Sequence, residues 1–151
     1  VEWPTIFFFI GLFIAVGGLV ETGVIRDLAV QGVNLTGGDV TKTSMLVLWM
    51  SAIVSAFLDN IPFVATMIPL IQDMGSMGVS NLEPVWWSLA LGACLGGNGT
   101  IIGASANVIV AGMAAERGIP MTFVRFMMVG FPLMILTILT STVYVYLRYL
   151  M

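Results

Sequence analysis

Four consecutive residues, Asp59-Asn60-Ile61-Pro62, interrupt a stretch that otherwise has the composition of a membrane helix. Residues 43–58 before the acid and residues 60–72 after it carry no charge. A carboxylate at bilayer depth costs about 2.5–3.5 kcal/mol on insertion scales, so an acid there indicates a functional site. Pro62 lacks a backbone N–H and disfavours helix at the residue before it. The pattern therefore predicts a broken membrane helix that presents polar groups to a small solute or ion.

The composition predicts an all-α integral membrane protein. The chain is 59% hydrophobic and 9% charged, with a mean hydropathy of +1.07, which is more apolar surface than a soluble domain of 151 residues can bury. Its five Lys and Arg residues are too few for a basic face, so no nucleic-acid partner is expected. With no His and one Cys, the chain has no intrachain disulfide, no His/Cys metal cluster and no His-dependent nucleophile. We expect Cys94 to serve helix packing.

The order of apolar and polar stretches predicts one membrane domain over residues 1–151. Its predicted parts are a helix at 3–25, an extramembrane loop at 26–43, a hairpin at 44–72, a broken helix at 84–115 and a helix at 121–148. Because the chain begins at Val1 and not at Met, we expect a fragment or one chain of something larger.

Two architectures fit the stretch around Asp59. Its arms would be roughly 24 and 20 Å long, against a hydrocarbon core of about 30 Å, so neither arm crosses alone. The arms either form a re-entrant hairpin with its tip at the Asp-Asn-Ile-Pro turn or make one long kinked span. The distribution of Lys and Arg leans towards the kinked span, but it rests on five charges. We favour the hairpin because it gives the acid and the break a purpose, and we expect Asp59 to be buried among its apolar neighbours Phe57, Leu58, Ile61 and Phe63.

Residues 96–107 predict a break within the helix at 84–115. Four glycines within residues 96–103 each cost about 1 kcal/mol in a helix relative to Ala. Non-helical backbone at membrane depth persists only where it lines a cavity or is buried in protein. Close helix packing would explain the glycines but not the polar residues among them, which are Asn98, Thr100, Ser105 and Asn107. We predict an unwound stretch between a helix that ends near Leu95 and one that starts near Asn107.

Two facing breaks would supply oxygen ligands for a hard cation such as Na⁺ and free N–H groups for an anion. Asp59 would neutralise a cation or carry a proton. The sequence Asn98-Gly99-Thr100 lacks the Gly-Lys-Ser/Thr of a nucleotide-binding loop, so coupling to an ion gradient is the simpler hypothesis.

Three motifs resemble the second half of proteins in the ion transporter superfamily. They are Ser55-Ala56-Phe57-Leu58-Asp59-Asn60-Ile61-Pro62-Phe63-Val64-Ala65, then Leu91-Gly92-Ala93-Cys94-Leu95-Gly96-Gly97-Asn98-Gly99-Thr100, then Ile102-Gly103-Ala104-Ser105-Ala106-Asn107-Val108. Val1-Glu2-Trp3-Pro4-Thr5 with the apolar run after it is also similar. Similar members include the arsenite pump ArsB, the NhaD-type Na⁺/H⁺ antiporters and the melanosomal P protein, which share a citrate-transporter-like domain.

The resemblance implies one half of an inverted-repeat secondary transporter, in which a hairpin tip meets a broken helix near the midplane of the membrane. The implied substrate or ion site comprises Asp59, Asn60, Pro62, Gly97, Asn98, Gly99, Thr100, Ser105 and Asn107. Na⁺ would bind at Asp59, Asn60, Asn98 and Thr100, and no other cofactor and no catalytic residue is expected. The amino-terminal half of the transporter would be a missing partner.

The hypothesis for function is H⁺- or Na⁺-coupled transport. Dicarboxylate relatives have Ser-Asn-Thr at their tips, whereas Asp-Asn-Ile would repel a dicarboxylate. Arsenite or antimonite is therefore the leading substrate class, with Na⁺/H⁺ exchange as the alternative; a non-transporting assembly subunit and a channel are the rivals from other classes. We expect a homodimer in the lipid bilayer that crosses the plasma (inner) membrane several times.

Overall fold

Helices account for almost all of the backbone. The computed structural model describes residues 3–151. Val1 and Glu2, which begin the family-like motif at residues 1–5, lie outside the described residues. The helices are α1 (Trp3–Glu21), α2 (Val24–Thr36), α3 (Val40–Ser55), α4 (Asn60–Ser76), α5 (Glu83–Gly96), α6 (Ser105–Glu116) and α7 (Phe123–Val145). Two short 3₁₀ turns, Gly97–Gly99 and Ile101–Gly103, separate α5 from α6, and a π-helical turn, Tyr146–Leu150, extends α7.

Within the described residues, one helix is long and apolar enough to cross a membrane by itself. It is the continuous segment Phe123–Leu150, which has 28 residues. The segments Ile10–Glu21 and Val40–Ser55 are apolar but shorter. The hairpin arms α3 and α4 have 16 and 17 residues, or roughly 24 and 26 Å, so each falls short of a core of about 30 Å.

The predicted loop at 26–43 is wrong, because α2 occupies most of it. Ile25, Ala29, Gly32 and Thr36 recur at helical spacing and form a buried stripe. This stripe packs against α4, and the methyl end of Met74 lies over Gly32. Of the charges in this segment, Arg26 and Asp27 lie on the exposed side of α2, and Asp39 and Lys42 lie after its end. The predicted helix at 3–25 likewise ends at Glu21, because Gly23 turns the chain with a φ of 78°.

Helices α3 and α4 are antiparallel. Val47, midway along α3, shares a buried cluster with Leu70, Ile71 and Met74 near the end of α4, and Val40 at the start of α3 packs against the same cluster. The opposite ends of the two helices join through residues 56–59. Both arms begin at an aspartate: the Asp39 carboxylate accepts from the backbone N–H of Lys42 at 2.8 Å, and Asp59 caps α4.

The sequence around Pro62 predicted that this proline breaks a helix, but in the structure Pro62 lies inside α4. It lies in the first turn of α4, two residues after Asn60, where a backbone N–H has no partner within the helix. The chain direction reverses at residues 56–59, and Pro62 supports the start of the new helix.

Helix α5 packs parallel to α3 through backbone contacts, because its glycines have no side chains. Gly92 lies against Leu48, and Gly96 lies against Ala52. Helix α7 runs antiparallel to α5: Gly130 packs on the Asn98 carbonyl, and Tyr149 stacks on Trp87 with ring centroids 5.8 Å apart. Cys94, predicted to pack, is exposed, because the small residues of α5 face α3 on its other side.

The glycine contacts predict a clear difference between two Gly→Ala variants. A Cβ at Gly92 would lie 2.5 Å from the Leu48 carbonyl oxygen and 2.8 Å from Ser51 Cβ, whereas Gly112 in α6 has open space around it. We expect G92A to lower the free energy of unfolding by about 1–3 kcal/mol. G112A should leave it unchanged or raise it by up to about 1 kcal/mol, through helix propensity. Unfolding in detergent, followed by circular dichroism, measures both; equal effects would contradict the packing described for α3 and α5.

Candidate functional site

The Asp59 carboxylate connects the tip of the hairpin to the start of α6. One oxygen, Oδ1, accepts the backbone N–H of Ile61 at 3.1 Å, and the other, Oδ2, accepts the hydroxyl of Ser105 at 2.8 Å. The acid therefore caps α4 and binds a residue 46 positions later. The prediction that it is buried among its apolar neighbours is wrong for this chain: Asp59 is half-buried, and Phe57, Leu58 and Ile61 are exposed. They are exposed because the turn lies at an end of the helical assembly.

Asn60, at the hairpin tip, lies next to the break between α5 and α6. The hydroxyl of Ser55, which is fully buried, contacts Asn60 Oδ1 and donates to the Ala93 carbonyl at 2.7 Å. Asn60 Oδ1 also approaches Gly97, where a Cβ would lie 3.2 Å away. A side chain at Gly97 would therefore push the amide away from the break.

Thr100 fixes the unwound stretch to the hairpin. Its side chain is fully buried, and its hydroxyl donates to the Ala56 carbonyl and accepts from the Gly103 backbone N–H at 3.1 Å. Gly103 fits into the same junction, since a Cβ there would lie 2.7 Å from the Gly97 carbonyl oxygen and 2.8 Å from that of Ala56. The break is thus a packed structure that depends on the residues of the hairpin turn.

Asn107 closes the break from the other side. Its amide nitrogen donates to the carbonyl oxygens of Gly97 at 2.9 Å and Thr100 at 3.0 Å. Carbonyls at the end of a helix have no partners within that helix, and they need others when water is excluded. The interruption predicted for residues 97–100 is confirmed, and the Asn107 side chain supplies part of the hydrogen bonding that the helix loses there.

The structure brings most, but not all, of the predicted site residues to one place. Asp59, Asn60, Gly97 and Ser105 meet at the hairpin tip, Pro62 lies one turn into α4, and Thr100 and Asn107 hold the break around them. Gly99 packs on Ala56 and Met134. Asn98 is exposed and lines a cavity beside α7, so its side chain is not directed to the tip.

Sequence reasoning missed Ser55. This residue links the hairpin to α5 and contacts Asn60. It was not included in the predicted site, although it is the first residue of the family-like motif at 55–65. A usable signal was the row Ser51, Ala52, Ser55 and Ala56, which places small residues opposite the glycines of α5.

The charge at the tip is nearly balanced. Helix α4 begins at Asn60 and α6 begins at Ser105, so the positive ends of two helix dipoles meet beside one carboxylate. Each helix end is equivalent to roughly +0.5 charge, which offsets the single negative charge of Asp59. The groups available to a ligand are the carboxylate, the Ser105 hydroxyl and the Asn60 amide.

Comparison with known proteins identifies the family. A model described as citrate transporter matches residues 1–92. The chain belongs to the citrate transporter family. The family is one of membrane transporters, and the chain is accordingly an integral membrane protein.

Relatives extend the citrate transporter likeness across the break. An uncharacterized transporter of Mycobacterium tuberculosis is 47% identical over 151 residues, covering 99% of this chain and 35% of its own length. A 46 kDa membrane protein of Mycobacterium leprae is 45% identical with the same coverage, and the human P protein is 40% identical over 144 residues, covering 91% of this chain and 17% of its own length. The chain thus spans about a third of the length of the mycobacterial relatives it matches.

The two asparagines of the break should differ in their effect on stability. N107A leaves the Gly97 carbonyl without its side-chain partner and the Thr100 carbonyl with only the Gly103 backbone N–H at 3.3 Å. One unsatisfied buried group costs about 1–3 kcal/mol, so we expect N107A to lower the free energy of unfolding by about that amount. N98A removes an exposed side chain and should change the free energy of unfolding by less than about 0.5 kcal/mol. Denaturant unfolding in detergent checks both. A stable N107A variant would show that the carbonyls have other partners.

Proposed function

We propose that the chain is the carboxy-terminal repeat of a secondary transporter driven by H⁺ or Na⁺. In this proposal, α3 and α4 form a re-entrant hairpin whose tip meets the broken helix α5–α6 at the substrate site. The hydrogen bond from Ser105 to Asp59 carries the proposal, because it joins the two interruptions at the one acid within the apolar stretch. The antiparallel arms and their length, shorter than the membrane core, support it.

The leading substrate class is arsenite or antimonite. These metalloid hydroxides are uncharged at neutral pH and present hydroxyl groups, so they suit a site made of hydrogen-bonding oxygens with little net charge. Asp59 and the two helix starts form such a site. A tricarboxylate such as citrate would find no net positive charge there to neutralise its carboxylates, because Asp59 already offsets the two helix ends. Family membership alone therefore does not make citrate the substrate of this chain.

Na⁺/H⁺ exchange is the second candidate, and the Asp59 carboxylate favours it. Na⁺ would be held by that carboxylate with the Ser105 hydroxyl and the Asn60 amide oxygen, which are the hard oxygen ligands that such a cation prefers. Of the other two residues predicted to bind Na⁺, Asn98 lines the cavity beside α7, and the Thr100 hydroxyl is bonded to Ala56 and Gly103. In this conformation we assign Thr100 to holding the break and leave Asn98 outside the ligand set.

The proposal also gives the chain partners. Every residue of α6 keeps part of its surface exposed, and the helix presents Val108, Ile109 and Val110. We assign this face to the amino-terminal half of the transporter, because the chain covers about a third of its mycobacterial relatives. The exposed Phe7, Phe13 and Ile14 of α1 suit contact with lipid or with a second copy in a homodimer. The whole would cross the plasma (inner) membrane several times.

The re-entrant hairpin predicts where its two ends lie. Lys42 and Ser76 are exposed beside the starting and finishing ends of the hairpin, and Arg117 is exposed just after α6. With single cysteines introduced into a C94S background, positions 42 and 76 should react with an impermeant thiol reagent from the same side of the membrane. Position 117 should react from the opposite side. Labelling of positions 42 and 76 from opposite sides would replace the hairpin with a kinked span.

Substitution of two aspartates that cap helices distinguishes a role in transport from a role in structure. D59N and D39N each keep a good N-cap, because Asn caps a helix about as well as Asp. D59N should fold normally but reduce gradient-driven transport to background, whereas D39N should transport normally. The assay uses the complete transporter in proteoliposomes and follows arsenite uptake and Na⁺-driven proton movement in parallel.

Each result of that assay has a definite meaning. Loss of arsenite flux alone in D59N assigns the site to the metalloid, and loss of Na⁺-driven proton movement assigns it to exchange. Wild-type flux in D59N would overturn the coupling role and leave the cap. A wild-type protein that folds but moves neither solute would favour a non-transporting assembly subunit.

A further inference from the structure

A cavity of about 630 Å³ lies along α7, away from the hairpin tip. The segment 119–121, which connects α6 to α7, forms one wall. The other wall is the face of α7 that carries Phe126, Val129, Leu133 and Met134. The lining is therefore mostly apolar, and Asn98 of the break contributes one of its few polar groups.

Charge is confined to one end of this cavity. Among the eleven lining residues, all within the described part of the chain, Arg125 carries the only charge. It lies in the first turn of α7, where Thr122 caps the helix and the unpaired backbone N–H groups add positive potential. Thr137, at the other end, is 12 residues further along the helix, or roughly 18 Å.

This layout matches one class of membrane component. Because Phe123–Leu150 is long enough to span the bilayer, its first turn lies near the interface and the apolar wall extends towards the core. A long apolar groove with a cation at its interfacial end fits an acyl chain and a phosphate, and basic pockets between membrane helices bind anionic head groups. A fully soluble anion would leave the apolar wall without a partner.

We propose that the cavity binds an anionic phospholipid, with its phosphate at Arg125 and one acyl chain along α7. The acyl chain would pass Gly130 and reach Asn98. These two residues are in close contact, since a Cβ added at Gly130 would lie 2.7 Å from the Asn98 carbonyl oxygen. The lipid would thus contact the unwound stretch from the side opposite Asn60 and Gly97. This site is independent of the transported species and of the coupling ion.

Native mass spectrometry of the 151-residue chain, released from detergent with defined lipids, tests the proposal. The probes are phosphatidylglycerol and phosphatidylcholine with identical acyl chains. Wild type should retain phosphatidylglycerol about fivefold better, because one basic side chain near the surface contributes about that factor. R125Q should lose this preference, and R148Q, at the other end of the same helix and outside the cavity, should keep it.

A second variant tests the groove without touching the charge. V129W fills the apolar wall and should lower retention of both lipids, with helicity by circular dichroism as its control for folding. Equal retention of the two lipids by wild type, or an unchanged preference in R125Q, would overturn the phosphate site. Unchanged retention in V129W would overturn the acyl groove.

Other occupants give distinguishable results. Glycerol 3-phosphate, which has the charge but no acyl chain, should fail to displace the lipid; displacement at equal concentration would reassign the site to a soluble phosphate. A dimer in the wild-type spectrum that V129W abolishes, with no retained lipid, would assign the cavity to a second copy. The complete transporter is measured in parallel, and loss of the preference there would overturn the lipid site, because another segment would then cover the cavity.

Discussion

The hairpin turn and the broken helix complete each other's backbone hydrogen bonding. Thr100 of the break binds the Ala56 carbonyl, Ser55 of the hairpin binds the Ala93 carbonyl, and Asn107 binds two carbonyls within the break. Carbonyls left over by an interrupted helix need partners wherever water is excluded, and each interruption supplies some of the partners that the other needs. The rest of the structure follows from this pairing, because it fixes the register of α3 against α5 and brings Asp59 to Ser105.

Asp59 holds the starts of two helices with its two oxygens. One oxygen caps α4, and the other holds the start of α6. A capping carboxylate is stabilised by the N–H groups that it accepts, so the fold itself offsets part of the cost of removing this acid from water. The same dipoles reduce the charge that a ligand meets. An acid held in this way can bind a weakly charged solute without attracting every cation.

Much of this arrangement follows from the sequence by simple physical rules. The uncharged flanks of Asp59 located the turn, and the glycines and asparagines of residues 96–107 located the break to within a few residues. Failures came where a rule about polarity competed with packing. The segment 26–43 was assigned to a loop by its charges, although four small or apolar residues at helical spacing decide its structure. Asn98 and Asn107 are the same residue type in similar sequence surroundings. Only the three-dimensional structure shows that Asn107 bridges two carbonyls while Asn98 faces a cavity.

The position of the tip is set by residues that have no side chain to remove. Gly92, Gly96 and Gly103 allow the backbone of α3 and its turn to lie directly on the second helix. Alanine scanning normally reports what a side chain contributes by deleting atoms, but at these positions it adds one. At the glycines, a scan of this chain would therefore report losses that come from inserted volume. The map obtained in this way would record distances between backbones as well as the contributions of polar side chains.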